Sequence, residues 1–159
     1  MKFEKIDLVK HKDLVVQFRR DSFYVSFGEI SSFDEEEYLI WLKEKSKEFP
    51  NGFVLVIEDN KYIGQLELTI REFEGAKIGY VNLFYLTPEM RGIGKGKELV
   101  YYAKHFFMDY EVSEYHLRVS PSNSQARKFY RKIGMKEVGS EVNGKVIRMR
   151  GRIDSFPNF

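Results

Sequence analysis

The sequence predicts a mixed α/β domain, and three observations carry that reading. Segments of period-2 alternation exchange along the chain with segments of helical period. No linker-like stretch rich in Pro, Gly or Ser, no low-complexity tract and no internal repeat interrupts the 159 residues. Apolar residues at 43% and aromatics at 16% supply a full core for one domain spanning residues 1–159 and argue against disorder.

Taken in order, Phe3 to Val9 alternates as a first strand. His11 to about Phe27 carries Leu14, Val15, Phe18, Phe23 and Phe27 in one or two helical segments. Ser32 with Glu35 three residues on reads as a capping box that opens a second helix through Phe49, stopped by Pro50-Asn51-Gly52. Phe53 to Ile57 and Tyr62 to Arg71 form a first hairpin. In its second strand Gln65, Glu67 and Thr69 alternate with Leu66, Leu68 and Ile70, which predicts a solvent face for the polar set. Gly75 turns the chain into a strand over about Lys77 to Leu86. Gly94 to about Met108 places Leu99, Val100, Ala103, Phe106 and Phe107 on one helical stripe. Tyr115 to Val119 is a short strand and Asn123 to Ile133 a helix. Met135 to Val142 and Lys145 to Arg152 flank Asn143-Gly144, a strong hairpin signal. The order is β-α-α-β-β-β-α-β-α-β-β, about seven strands and about four helices.

Several function classes fall away on composition. Zero Cys excludes a disulfide framework, zinc-ribbon ligand sets and a thiol nucleophile, and His11, His105 and His116 lack metal-ligand spacing, so no metal site is expected. No apolar run approaches the roughly 20 residues of a bilayer span, and the first residues lack a signal peptide's apolar stretch, so a soluble cytoplasmic protein without a membrane partner is expected. The net charge of +2 is poor support for a nucleic-acid partner. That sum hides an asymmetry: residues 21–60 hold ten acids against three lysines, and residues 123–152 nine bases against two acids.

The most informative stretch is Leu86-Thr87-Pro88-Glu89-Met90-Arg91-Gly92-Ile93-Gly94-Lys95-Gly96-Lys97, where a strand enters a turn with glycines at alternate positions before an amphipathic helix. Glycine permits close backbone approach, and the free N–H groups of a helix's first turn make an anion site. Arg91, Lys95 and Lys97 add positive charge, which points to a phosphate-bearing ligand. Neither the Rossmann G-x-G-x-x-G spacing nor a Walker Gly-Lys-Ser/Thr is present. Further along, Asn123 or Ser122 can cap a helix on which Asn123, Arg127 and Tyr130 share a side, with Tyr130 at the border of the apolar stripe.

Arg91-x-x-Gly94-x-Gly96 after Leu-Thr-Pro, and Asn123-x-x-Ala126-x-x-Phe129-Tyr130-x-x-Ile133-Gly134-Met135, together resemble the two main motifs of the GNAT N-acetyltransferase superfamily, in its order and over essentially the whole chain. The resemblance implies a twisted mixed sheet whose fourth and fifth strands splay apart around acetyl-CoA. It implies that backbone near Leu86 and Thr87 binds the pantetheine arm and polarises the thioester, and that Arg91, Gly92, Ile93, Gly94, Lys95 and Gly96 wrap the pyrophosphate. Asn123 would hydrogen-bond the pantetheine, with Arg127 beside it, and Tyr130 would be the general acid toward the departing CoA thiolate. The acceptor implied is a small-molecule or peptide amine. The fourth strand lacks the basic Glu of some relatives, which leaves Glu67, Glu72 or water to take the amine proton. The acidic, aromatic segment with Phe23, Tyr24, Phe27, Phe33, Tyr38 and Trp41 among Glu35, Glu36 and Glu37 suits a cationic amine. A catalytically silent acyl-CoA-binding module and a nucleic-acid-binding domain are the alternatives, and the Asn143-Gly144 hairpin offers an edge for a homodimer.

Overall fold

The computed structural model describes residues 1–28 and 33–155. Its elements are β1 (Lys2–Lys5), α1 (Leu8–Phe27), α2 (Glu35–Glu48), β2 (Phe53–Glu58), β3 (Lys61–Phe73), β4 (Ala76–Leu86), α3 (Gly96–Asp109), β5 (Glu114–Val119), α4 (Ser124–Lys132), β6 (Lys136–Glu141) and β7 (Val146–Arg152), with 3-10 turns at Pro88–Met90 and Ile153–Ser155. The strands form one sheet in the order β1-β2-β3-β4-β5-β7-β6. Every neighbouring pair is antiparallel except β4 with β5.

The first strand ends sooner than its alternation predicts. Asp7 accepts from the N–H of Val9 at 2.9 Å and of Lys10 at 3.4 Å, and this cap starts a single 20-residue α1 that Gly28 ends at φ +73. The expected capping residue Ser32 lies outside the described residues. Asp34 caps α2, accepting from Glu37 N–H at 3.0 Å, and Glu35, Glu36 and Glu37 place negative charge at the positive end of the helix dipole.

The largest departure concerns β3. Gln65, Glu67 and Thr69, expected to face solvent, are at most 2% exposed. Arg19 of α1 and Tyr38 of α2 cover them, so the polar row meets polar partners inside the domain. The opposite face is covered as well. Gly79 pairs with Ile70, and a Cβ at Gly79 would stand 2.5 Å from the Phe107 ring of α3. Period-2 alternation reports two chemically different faces, and here helices bury both.

Two irregularities in β4 create the site. Its pairing with β5 runs only from Gly79–Tyr115 to Val81–Leu117, after which the two strands diverge. Opposite β3, Val81 pairs with Leu68 and Leu83 with Glu67, so Asn82 is the extra residue of a β-bulge. The β5-facing backbone of Asn82 to Leu86 is thereby left without a strand partner.

Candidate functional site

A cleft of about 1180 Å³ opens between the diverging β4 and β5 and continues under α1 and α2. It exceeds the roughly 300–1,000 Å³ of an ordinary small-molecule pocket, room for two reactants rather than one. One end is built by the turn before α3 together with α4; the other by α1, α2, β3 and β4.

At the first end Gly92 and Gly94 take φ +74 and +84, a left-handed backbone that other residues adopt only under strain. A Cβ at Gly94 would meet nothing within 4 Å, so the turn presents bare backbone to the cleft. Gly96 has a different reason to be small: a Cβ there would lie 3.0 Å from the Phe129 ring, and that contact lets α4 pack against the start of α3. The helices α1, α2 and α4 begin with side-chain caps from Asp7, Asp34 and Asn123, whereas α3 begins at Lys95 with none. Its first N–H groups and positive dipole end are therefore available at the cleft. These features fit a polyphosphate such as that of CoA.

The basic side chains there divide into two kinds. Arg91 does not reach outward: its Nε donates to Leu86 O at 2.8 Å and its Nη2 to Asp21 at 2.8 Å, while Asp21 also accepts from the Tyr85 hydroxyl. Burial and the Asp21 carboxylate raise the Tyr85 pKa, so this hydroxyl stays a donor. The clamp ties α1 to the turn. Lys95 pairs with Glu58 at 2.8 Å. Lys97, Lys128 and Lys132 line the cleft with no carboxylate partner among the described residues.

Tyr130 lines the cleft between the two ends. Its ring packs edge-on to Phe84 and Phe129, at 6.4 and 5.8 Å between centroids, and its hydroxyl has no hydrogen-bond partner among the described residues. Burial pushes its pKa up to about 12. Asn123 caps α4 through Oδ1, accepting from Ala126 N–H at 3.2 Å, which fixes its side chain at the cleft wall.

At the second end Glu67 is wholly buried. The Tyr38 hydroxyl donates to it at 2.5 Å, Gln65 Nε2 donates to it at 2.9 Å, and Arg19 Nη1 stands 3.3 Å away. Burial raises its pKa, and Arg19, Tyr38 and Gln65 oppose the rise. Glu67 does not line the cleft, but Tyr38 and Arg19 do. Glu72 is exposed and outside the cleft. Phe23, Phe27, Phe33 and Trp41 form an aromatic wall, while of Glu35, Glu36 and Glu37 only Glu37 lines the cleft and Glu35 turns to Arg20.

Of the residues expected at the site, Leu86, Arg91, Gly92, Gly94, Lys95, Gly96, Asn123 and Tyr130 come together on the cleft. Three others do not line it. Thr87 turns inward with its hydroxyl oxygen buried, Ile93 projects to solvent at 61% exposure, and Arg127 folds back on Glu137 at 2.7 Å and Pro121 O at 2.9 Å. Sequence reasoning passed over Arg19, Arg71 and Asn82, which line the second end of the cleft. The one available signal was Asn82, a lone polar residue inside the apolar run of β4. Among the described residues no helix is long and apolar enough to cross a membrane, and no cluster of His, Asp or Glu could hold a metal ion.

Comparison with known proteins agrees with this architecture. PH1933 from Pyrococcus horikoshii OT3 superposes with a TM-score of 0.71 at 23% identity, covering 99% of both chains. The PaiA N-acetyltransferase of Thermoplasma acidophilum, solved with coenzyme A, gives 0.69 at 22% identity over 95% of this chain and 98% of its own. A ribosomal-protein-alanine N-acetyltransferase of Brucella melitensis gives 0.71 at 16% identity over 96% and 99%. No curated protein sequence matches the chain. The sequence profile of the acetyltransferase (GNAT) family matches residues 13–135, most of the chain, and with the splayed β4–β5 pair and the glycine turn before α3 this places the protein in the GNAT acetyltransferase family.

Proposed function

We propose that the chain transfers an acetyl group from acetyl-CoA to a primary amine by direct attack of the amine nitrogen on the thioester carbonyl. The observation that carries this reading is the conjunction of an uncapped α3 N-terminus behind Gly92 and Gly94 with a cleft-lining Tyr130 whose hydroxyl is free to donate. The PaiA relative, solved with coenzyme A, supports the choice of cosubstrate.

Acetyl-CoA supplies an activated acyl carbon and a good leaving group. The turn from Gly92 to Gly96 and Lys97, Lys128 and Lys132 hold its phosphates, and Asn123 Nδ2 and unpaired β4 backbone hold the pantetheine arm. An N–H of that same backbone near Leu86 meets the negative charge that develops on the carbonyl oxygen as the C–N bond forms. The amine must lose a proton, and Tyr38 is placed to take it: its oxygen accepts from the amine or an intervening water as its own proton passes to Glu67. The raised pKa of Glu67 strengthens it as the final acceptor. As the C–S bond breaks, Tyr130 donates to the sulfur. A phenol at about 12 is protonated throughout the neutral range, so it stands ready as donor.

Calorimetry with acetyl-CoA, followed by a panel of amines with CoA release as readout, tests the proposal. Micromolar binding with turnover of at least one amine class is the expected result. No binding of acetyl-CoA would overturn it, and binding without turnover of any amine would leave a CoA-binding module.

A further inference from the structure

We infer that the amine acceptor carries a carboxylate, and that Arg71, stacked on Tyr80 and braced by Asn82 at the cleft wall, is the side chain that binds it. The inference rests on the acetyltransferase reading and names the acceptor class for that same cleft.

Arg71 is the one arginine among the described residues with no carboxylate beside it. Every other arginine has a carboxylate oxygen within 3.7 Å. Guanidinium groups in this chain are otherwise consistently matched, so the exception stands out by its position: it lines the cleft. It is also held rather than loose. Its guanidinium carbon lies 3.8 Å from the centre of the Tyr80 ring, and its Nη2 donates to Asn82 Oδ1 at 2.6 Å. Asn82 in turn donates to Thr69 Oγ1 at 3.0 Å and to Glu67 O at 3.3 Å, and its own carbonyl accepts from Arg19 Nη1 at 3.2 Å. The extra residue of the β-bulge thus orients the fork of Arg71. A planar guanidinium fixed on one side by a ring and on one edge by an amide keeps its remaining N–H donors for a planar, bidentate acceptor, which is the geometry of a carboxylate.

The surrounding field agrees. Arg118 of β5 also lines the cleft, and Arg118 and Arg148 share the single carboxylate of Glu141, both at 2.8 Å. Three guanidinium charges thus stand against one carboxylate. Arg71 is only partly covered; desolvation lowers its pKa, Tyr80 opposes the shift, and the like charges of Arg118 and Arg148 add to it, which an anion bound there would relieve. Four residue steps along the strand lead from Asn82 to Leu86, a span of roughly 13 Å, so the carboxylate and the reacting amine sit at opposite ends of the acceptor. An acidic peptide side chain or an ω-amino acid meets that demand.

The test compares matched acceptors that differ only in the anion: ω-amino acids of increasing length against their amides, and dipeptides with Asp against Asn at the second position. Each enzyme is read as its own kcat/KM ratio of acid to amide, so a general loss of activity cancels. Wild type should prefer the acid about 10- to 100-fold, the range of a charge-assisted bidentate pair, through KM. Arg71→Gln should bring the ratio close to unity, and Arg71→Lys should retain part of it. Calorimetry of the same amines with CoA-loaded protein reads the subsite without turnover, and circular dichroism checks the fold of each variant. Equal use or binding of acid and amide by wild type overturns the proposal, as does a preference that survives Arg71→Gln. If acetyl-CoA itself does not bind, the transferase reading fails, and calorimetry on the free chain still decides whether Arg71 selects a carboxylate.

Discussion

Replacing Tyr130 with Phe removes one oxygen and leaves the ring contacts to Phe84 and Phe129 in place. The hydroxyl has no partner among the described residues, so none of their contacts depends on it and the unfolding free energy should stay within about 1 kcal/mol of wild type. The kinetic effect is bounded by acidity. A phenol at about 12 facing a thiol of about 8.5 lies ~3.5 pK units uphill, or ~5 kcal/mol, for complete transfer before C–S cleavage. The useful contribution is therefore a hydrogen bond to the growing negative charge on sulfur, worth about 1.5–3 kcal/mol, with full transfer only as the bond breaks. That converts to a loss in kcat of about 10- to 150-fold. Stopped-flow CoA release against pH reads it, with acetyl-CoA affinity measured separately by calorimetry. The variant should bind acetyl-CoA as wild type does, and wild-type kcat should show no alkaline limb below about pH 10. Wild-type kcat in the variant, or a loss confined to acetyl-CoA affinity, refutes the role of Tyr130.

Three further outcomes follow from other parts of the site. Glu67→Gln keeps a hydrogen-bond acceptor for Tyr38 but cannot take a proton, so kcat should fall at least about 10-fold and the acidic limb of the pH–rate profile should disappear. In wild type that limb should lie above the ordinary carboxylate value of 4.5, because burial raises Glu67. Gly94→Val forces a β-branched residue into φ +84 and puts a side chain where the turn is bare, so acetyl-CoA affinity by calorimetry should drop about 10-fold or more. His116 is fully buried, accepts from Arg148 Nη1 at 2.9 Å, and is held below 6.5 by burial. A base depressed in the folded state binds its proton first in the unfolded state, so its contribution is complete above about pH 6.5 and is lost as pH falls toward the folded value. Urea midpoints should decline over that window, and His116→Gln should flatten the decline.

Elements built from contiguous residues could be read in the sequence, and so could sites made of them. The glycine turn before α3, the Asn123 cap and Tyr130 on α4 each depend on neighbours within a few positions, and the cleft gathers them where the motifs point. The end of the cleft under α1 and α2 is different in kind. Alternation within β3 places Glu67 toward solvent because it says nothing of α1 and α2, which cover it from 48 and 29 residues away through Arg19 and Tyr38. Asn82 and Arg71 acquire a role only through a bulge, and a bulge is a property of two strands in register, invisible in either one.

The charge distribution shows the same limit in another form. Read along the chain, a basic block at residues 123–152 faces an acidic block at 21–60, and the obvious inference pairs the former with phosphates and the latter with an amine. In the fold much of that charge is spent internally. Arg127 and Arg131 share Glu137, and Arg148 takes Glu141. From the acidic block, Asp21 and Glu58 cross to neutralise Arg91 and Lys95 of the glycine turn before α3. In the proposed reading, anion recognition at that turn falls to backbone N–H groups and to Lys97, Lys128 and Lys132, while the other end of the cleft, flanked by acidic sequence, keeps at Arg71 a guanidinium with no carboxylate partner among the described residues. Which charges act on a ligand is decided by which ones the fold leaves unpaired at the cleft: of the basic block only Lys128 and Lys132 line it, while Arg71, which belongs to neither block, lines it without a carboxylate partner among the described residues.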